Sequence, residues 1–123
     1  MSVHLRKGAN VLAIAVANTE TGPLDPGAFC IDLRIGSTVL AKTDTSWPVS
    51  RVFVPGWSDV SGVLSNVETT YFRGSWDFYP YGPPGFLNAT NWPSDSSAQW
   101  IWPVDIWGAP VTIYSRIQFN YTP

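Results

Sequence analysis

Phe29-Cys30-Ile31-Asp32-Leu33-Arg34-Ile35, then Gly36-Ser37, then Thr38-Val39-Leu40-Ala41-Lys42: this stretch decides the fold class. Its side chains alternate with the period of an extended chain. Phe29, Ile31, Leu33 and Ile35 belong on a core face, and Cys30, Asp32 and Arg34 on the opposite one. Gly36-Ser37 is a short polar link of the kind that reverses a chain between antiparallel strands. A helix would need its apolar residues three and four apart, and here they stand two apart. The stretch therefore predicts a hairpin.

Working outward, the same period recurs. Residues 10–17 read as a strand that is apolar on both faces, with Leu12, Ile14 and Val16 on one and Val11, Ala13 and Ala15 on the other. Such a pattern predicts a central strand covered on both sides. Gly8 precedes it as a turn residue, and a loop rich in Thr, Gly, Pro and Asp follows over 18–27. Residues 43–48 predict a turn. Residues 49–54 predict a strand stopped by Pro55-Gly56, and 69–73 another. Residues 57–66 are ambiguous, with room for one short helical turn. Residues 98–102 and 111–119 read as strands. In the last, Val111, Ile113, Ile117 and Phe119 share one face, and Thr112, Tyr114, Arg116 and Gln118 the other. Between them, 74–97 predicts a long Pro/Gly-rich loop carrying Trp76, Phe78, Tyr79, Tyr81, Phe86 and Trp92. So long and aromatic a loop must lay its rings on the domain, a ligand or a neighbour. Eleven Pro and ten Gly in 123 residues exclude long helices. The expectation is one all-β domain over 1–123, an antiparallel β-sandwich of jelly-roll or immunoglobulin-like kind.

Bulk composition removes several function classes. Net charge is −2, and charged residues are only 13% of the chain. No basic cluster exceeds Arg6-Lys7, so a nucleic-acid footprint is missing. The longest apolar run is strand-sized, so no membrane span is expected. Seven Trp, five Tyr and six Phe are the outstanding feature. Trp100 and Trp102 share a strand face and read as core. Trp76, Tyr79, Tyr81, Phe86 and Trp92 read as candidate contacts for a glycan or a partner chain. Asn88-Ala89-Thr90 and Asn120-Tyr121-Thr122 are glycosylation sequons, which point to an extracellular or cell-surface location.

Catalytic signals are weak. His4 is the one histidine and sits among charged residues. No nucleophile elbow and no phosphate-binding loop are present. Asp25, Asp44, Asp59, Asp77, Asp95 and Asp105 fall in expected turns, where Asp bonds its own backbone. The lone Cys30 reads as a small strand hydrophobe. Arg116 reads as a structural residue that pairs with a carboxylate, with ligand binding as the alternative. No catalytic group, metal site or cofactor is expected.

Three segments carry a resemblance. Leu5-Arg6-Lys7-Gly8-Ala9-Asn10-Val11-Leu12-Ala13, Thr43-Asp44-Thr45-Ser46-Trp47, and Ala98-Gln99-Trp100-Ile101-Trp102 with Tyr114-Ser115-Arg116 through Phe119 resemble the strand motifs of galactose-binding-domain-like modules. The resemblance implies a jelly roll that binds carbohydrate through loop aromatics, with Asp77, Asn91 and Gln99 reaching sugar hydroxyls. It also allows a structural calcium, for which Asp25 and Asp44 are the candidates, although no ligand spacing marks one. The segment order departs from the family. Residues 1–54 resemble the later strands of the module and 98–119 its early ones, with the middle strands absent. An incomplete sandwich leaves backbone groups unpaired, each worth about 1–3 kcal/mol if buried. A strand from another copy would then complete the sheet. Residues Val11, Leu12, Ile14 and Val16 are the expected assembly strand. Two functional expectations stand side by side: a structural subunit that polymerises with copies of itself by strand complementation, and a carbohydrate-binding module.

Overall fold

The computed structural model describes residues 5–18, 27–75, 95–103 and 111–123. Its strands are β1 (Gly8–Asn18), β2 (Asp32–Ile35), β3 (Thr38–Lys42), β4 (Val49–Ser50), β5 (Thr70–Ser75), β6 (Gln99–Pro103) and β7 (Val111–Tyr121). Every pairing is antiparallel, and no helix occurs among the described residues. The all-β expectation holds.

One layer is a three-stranded sheet in the order β1-β7-β4. The other consists of the β2-β3 hairpin and the β5-β6 pair. These two pairs are stitched together. Phe29 and Ile101 exchange both backbone hydrogen bonds, at 3.2 and 3.1 Å, and the Gln99 N–H donates to the Thr43 carbonyl at 2.9 Å. The layers are also linked by the chain itself. The Glu68 N–H donates to the Val49 carbonyl at 2.8 Å, so 68–75 begins beside β4 and continues as β5 beside β6.

The core lies between the layers. Leu12, Ile14, Val16, Val49, Val111, Ile113 and Ile117 pack from the three-stranded sheet against Phe29, Ile31, Ala41, Trp47, Ile101 and Trp102. This is a β-sandwich, built from the inward residues of alternating strands. The β2-β3 hairpin forms as its alternation predicts, turning at Gly36, whose φ of 58° suits glycine.

Four sequence expectations need correction. The strand expected at 29–35 splits, because Phe29 pairs with β6 while Asp32–Ile35 pairs with β3. The strand expected at 49–54 ends at Ser50. There the Ser50 hydroxyl accepts the Val52 N–H at 3.0 Å and donates to the Ser65 carbonyl, turning the backbone out of the ladder. Residues 57–66 hold no helical turn but tight successive turns, with Trp57, Asp59 and Gly62 N–H groups bonding the carbonyls of Val54, Gly56 and Asp59. Finally, β1 is not central. Among the described residues it stands at the end of its sheet, with Ala15 and Ala17 exposed. Alanine is small enough to be indifferent to burial, so alternating Ala residues imitated a second core face. The strand buried on both faces is β6, where Trp100, Ile101, Trp102 and Pro103 are all buried.

The segments singled out by motif each have a structural task. Gly8 takes a φ of 94°, and the buried Asn10 side chain accepts the Arg6 N–H at 2.9 Å while donating to the Arg6 and Gly8 carbonyls, fixing the lead-in to β1. Asp44 accepts the Ser46 N–H at 2.8 Å, and the buried Trp47 indole donates to the Lys42 carbonyl at 2.7 Å.

A part-buried ion pair holds the lead-in to β6 against the hairpin. Arg34 donates twice to Asp32, at 2.6 and 2.9 Å, and the Ser96 hydroxyl donates to the same carboxylate at 2.6 Å. The bonds from Arg34 and then Ser96, against the opposing effect of desolvation, hold the Asp32 carboxyl below its ordinary value. The Arg34–Asp95 pair is exposed on its Asp95 side and adds little. A depressed carboxyl stabilises the fold fully above the ordinary carboxylate range. That contribution drains away as pH falls through the folded value. Asp32→Asn is expected to lose about 1–3 kcal/mol at neutral pH. Its deficit should shrink in acid, where the wild-type carboxylate is itself protonated. Urea midpoints for both proteins across an acid series check this, and a deficit independent of pH would be the contrary result.

Candidate functional site

Strand β1 is paired along its whole length on one side only. Its eleven residues match β7 in unbroken register from Gly8↔Tyr121 to Asn18↔Val111, with no bulge. On its other side no strand pairs with it among the described residues. An antiparallel edge presents a pair of unbonded N–H and C=O groups at every second residue.

Sheet edges in natural proteins are usually short, or blunted with Lys, Pro or a bulge. Here Gly-Ala-Asn-Val-Leu-Ala-Ile-Ala-Val-Ala-Asn contains no charge and no Pro. It is about twice the usual strand length of 5–6 residues. The expected assembly residues divide by face. Leu12, Ile14 and Val16 turn inward and pack on the core, while Val11 lies on the outer face with Ala13, Ala15 and Ala17. The exposed Arg6 and Lys7 stand just before the strand.

Beside β1, the outer face of β7 is covered by the turns of 53–60. The Tyr114 ring meets Phe53 and Trp57 edge-on at 5.7 and 5.1 Å. Arg116 donates to the Asp59 and Val60 carbonyls at 2.9 and 3.2 Å, and Gln118 to the Val60 carbonyl at 3.0 Å. Arg116 is thus a structural residue that holds backbone, not a carboxylate. This cover leaves Val52, Phe53, Val60, Val63 and Val67 exposed. An open groove of about 370 Å³ runs between Pro48, Val63, Leu64 and Val67 and the Arg116–Gln118 stretch of β7. Sequence reading missed this apolar surface. Val60, Val63, Leu64 and Val67 stand three and four apart, a helical spacing, but the segment folds as turns, so the pattern did not announce an exposed surface.

Other candidate residues fall as follows. Trp76, Tyr79, Tyr81, Phe86, Trp92 and the sequon at Asn88 lie outside the described residues, as do His4, Asp25, Asp77, Asn91, Asp105 and Trp107. Asn120 is exposed on β7 opposite Ala9, where a glycan has room. Trp47, Trp100 and Trp102 are core residues. The Cys30 thiol is pushed up to about 11, chiefly by burial and further by Asp32, with a Thr43 hydrogen bond opposing. It is therefore a poor nucleophile at neutral pH. Asp44 is occupied by Ser46. Among the described residues no three His, Cys, Asp or Glu side chains group as metal ligands, and no helix is long and apolar enough to cross a membrane. The chain was compared with protein-family models, with curated proteins and with solved structures, and no match was found.

Proposed function

We propose that this chain is a non-catalytic structural subunit, acting outside the cell or at its surface, that assembles with copies of itself by strand addition at the β1 edge. The supporting observation is the long, uncharged, unbulged edge of β1. Main-chain hydrogen bonding along such an edge supplies affinity without any catalytic group. The sequon at the exposed Asn120 supports the location. The resemblance to galactose-binding-domain-like modules supports a jelly-roll origin.

Light scattering after size exclusion tests this over a concentration series. The expected result is a population of dimers or larger species that grows with concentration. A protein that stays monomeric up to about millimolar, where only interactions weaker than about 4 kcal/mol would escape notice, has no such function.

A further inference from the structure

We infer that the occupant of the β1 edge is the β1 strand of a second copy, paired antiparallel about a two-fold axis through Ala13, so that the assembling unit is a closed dimer with one continuous sheet. This rests on the assembly reading above and specifies its partner and symmetry.

The first argument is the pattern of faces. β1 runs from Gly8 to Asn18, so Ala13 is its midpoint. Antiparallel pairing about that midpoint sets Ala13 against itself, Leu12 against Ile14, Asn10 against Val16, Val11 against Ala15, and Ala9 against Ala17. Inward residues meet inward residues, and outward meet outward. The apolar inner faces of the two sheets then run on without a step, in the order β4-β7-β1-β1-β7-β4. A register shifted by one residue would set core side chains beside outward ones.

The second argument is charge. Symmetry places like residues in fixed relation, so any charge near the axis of a self-paired strand repels its own copy. β1 has none. The nearest charges, Arg6 and Lys7, are exposed at its N-terminal end. Parallel pairing would lay these two cations beside their copies. Antiparallel pairing sends them to opposite ends of the strand, roughly 40 Å apart, several times the roughly 8 Å screening length of physiological salt. In the sequence Asn18 is followed by Thr19-Glu20, so the chain just past one end of the strand is acidic and that just before the other is basic.

The third argument is strength. Two strands of this length exchange about ten main-chain hydrogen bonds, as many as a typical complete protein–protein interface. Strand exchange is the weaker candidate, because β1 already has all eleven partners on its own β7 and would trade them for identical ones. A two-fold contact uses the same edge on both subunits and closes on itself.

Cysteine cross-linking reads the register directly. In a Cys30→Ser background, Ala13→Cys is treated with a short thiol-bridging reagent and run on a non-reducing gel. The expected result is a covalent dimer from Ala13→Cys alone. Ala9→Cys alone and Ala17→Cys alone should give none, while their equimolar mixture should. Ala13→Lys, which sets two ammonium groups face to face, should weaken association at least ten-fold while its circular dichroism stays that of the wild type. A protein that associates by light scattering yet yields no Ala13→Cys dimer overturns the two-fold register and leaves the assembly reading standing. Cross-linking of Ala9→Cys alone and of Ala17→Cys alone shows parallel pairing and overturns it as well. A monomer at every concentration overturns both.

Discussion

Trp102→Ala is expected to destabilise the protein by about 3–5 kcal/mol, the largest effect of any single truncation among the described residues. Trp102 has no solvent-exposed surface and belongs to the cluster that joins the two layers. Its indole is boxed in. A Cβ added at Gly27 would fall 2.3 Å from two of its ring carbons, so that glycine is there to let the ring in. The ring is large and rigid and the Gly27 backbone stands against it, so the cavity left by its removal cannot collapse well. Against a whole-domain stability of about 5–15 kcal/mol, such a loss leaves the variant marginal or unfolded. Urea denaturation checks the number. A Val60→Ala control at an exposed turn should stay within about 0.5 kcal/mol of wild type. A Trp102→Ala midpoint close to that control would show that the ring does not bear on the core as described.

Thr43→Val is the second large effect, and it acts through hydrogen bonds where Trp102 acts through packing. Thr43 is fully buried where the hairpin meets β6. Its hydroxyl accepts the Ile31 N–H at 3.0 Å and donates to the Gln99 carbonyl at 2.7 Å. Its own backbone bonds the same two residues. Valine matches threonine in shape but neither accepts nor donates. It removes the hydroxyl's partner role for both groups, at about 1–3 kcal/mol apiece. Thr43→Ser keeps the hydroxyl and loses one methyl, so it should cost about 1 kcal/mol. The comparison separates the two causes. A negligible loss for Val beside a clear loss for Ser would mean that the methyl matters and the hydroxyl does not.

These sites show how far the sequence could be read. The hairpin was legible because Phe29 to Ile35 alternates without exception and the turn residues sit at its tip. The inner faces of β1 and β7 were legible for the same reason, down to Leu12, Ile14 and Ile113. Strand partners were not. Nothing local told that Phe29 would leave β3 for β6, or that the Ser50 hydroxyl would bend the chain after a two-residue β4. Burial on both faces was assigned to β1, where alanines conceal exposure, and belongs to β6, where tryptophan on one face and isoleucine on the other are both covered. At the candidate edge the apolar residues were named from sequence alone. Which side of the strand is taken by a partner depends on β7, nearly a whole chain away, and only the fold supplies it.

That separation has a consequence for how the protein is made. β1 and β7 are neighbours in space but stand about a hundred residues apart along the chain. At ordinary ribosomal speeds of about 5–20 residues per second, an apolar strand with both edges bare waits on the order of 5–20 s for its mate to be synthesised. Nascent chains emerging side by side from one messenger are then each other's nearest sticky surface. A holdase that shields β1 until β7 has emerged would decide the yield of correctly closed sheets.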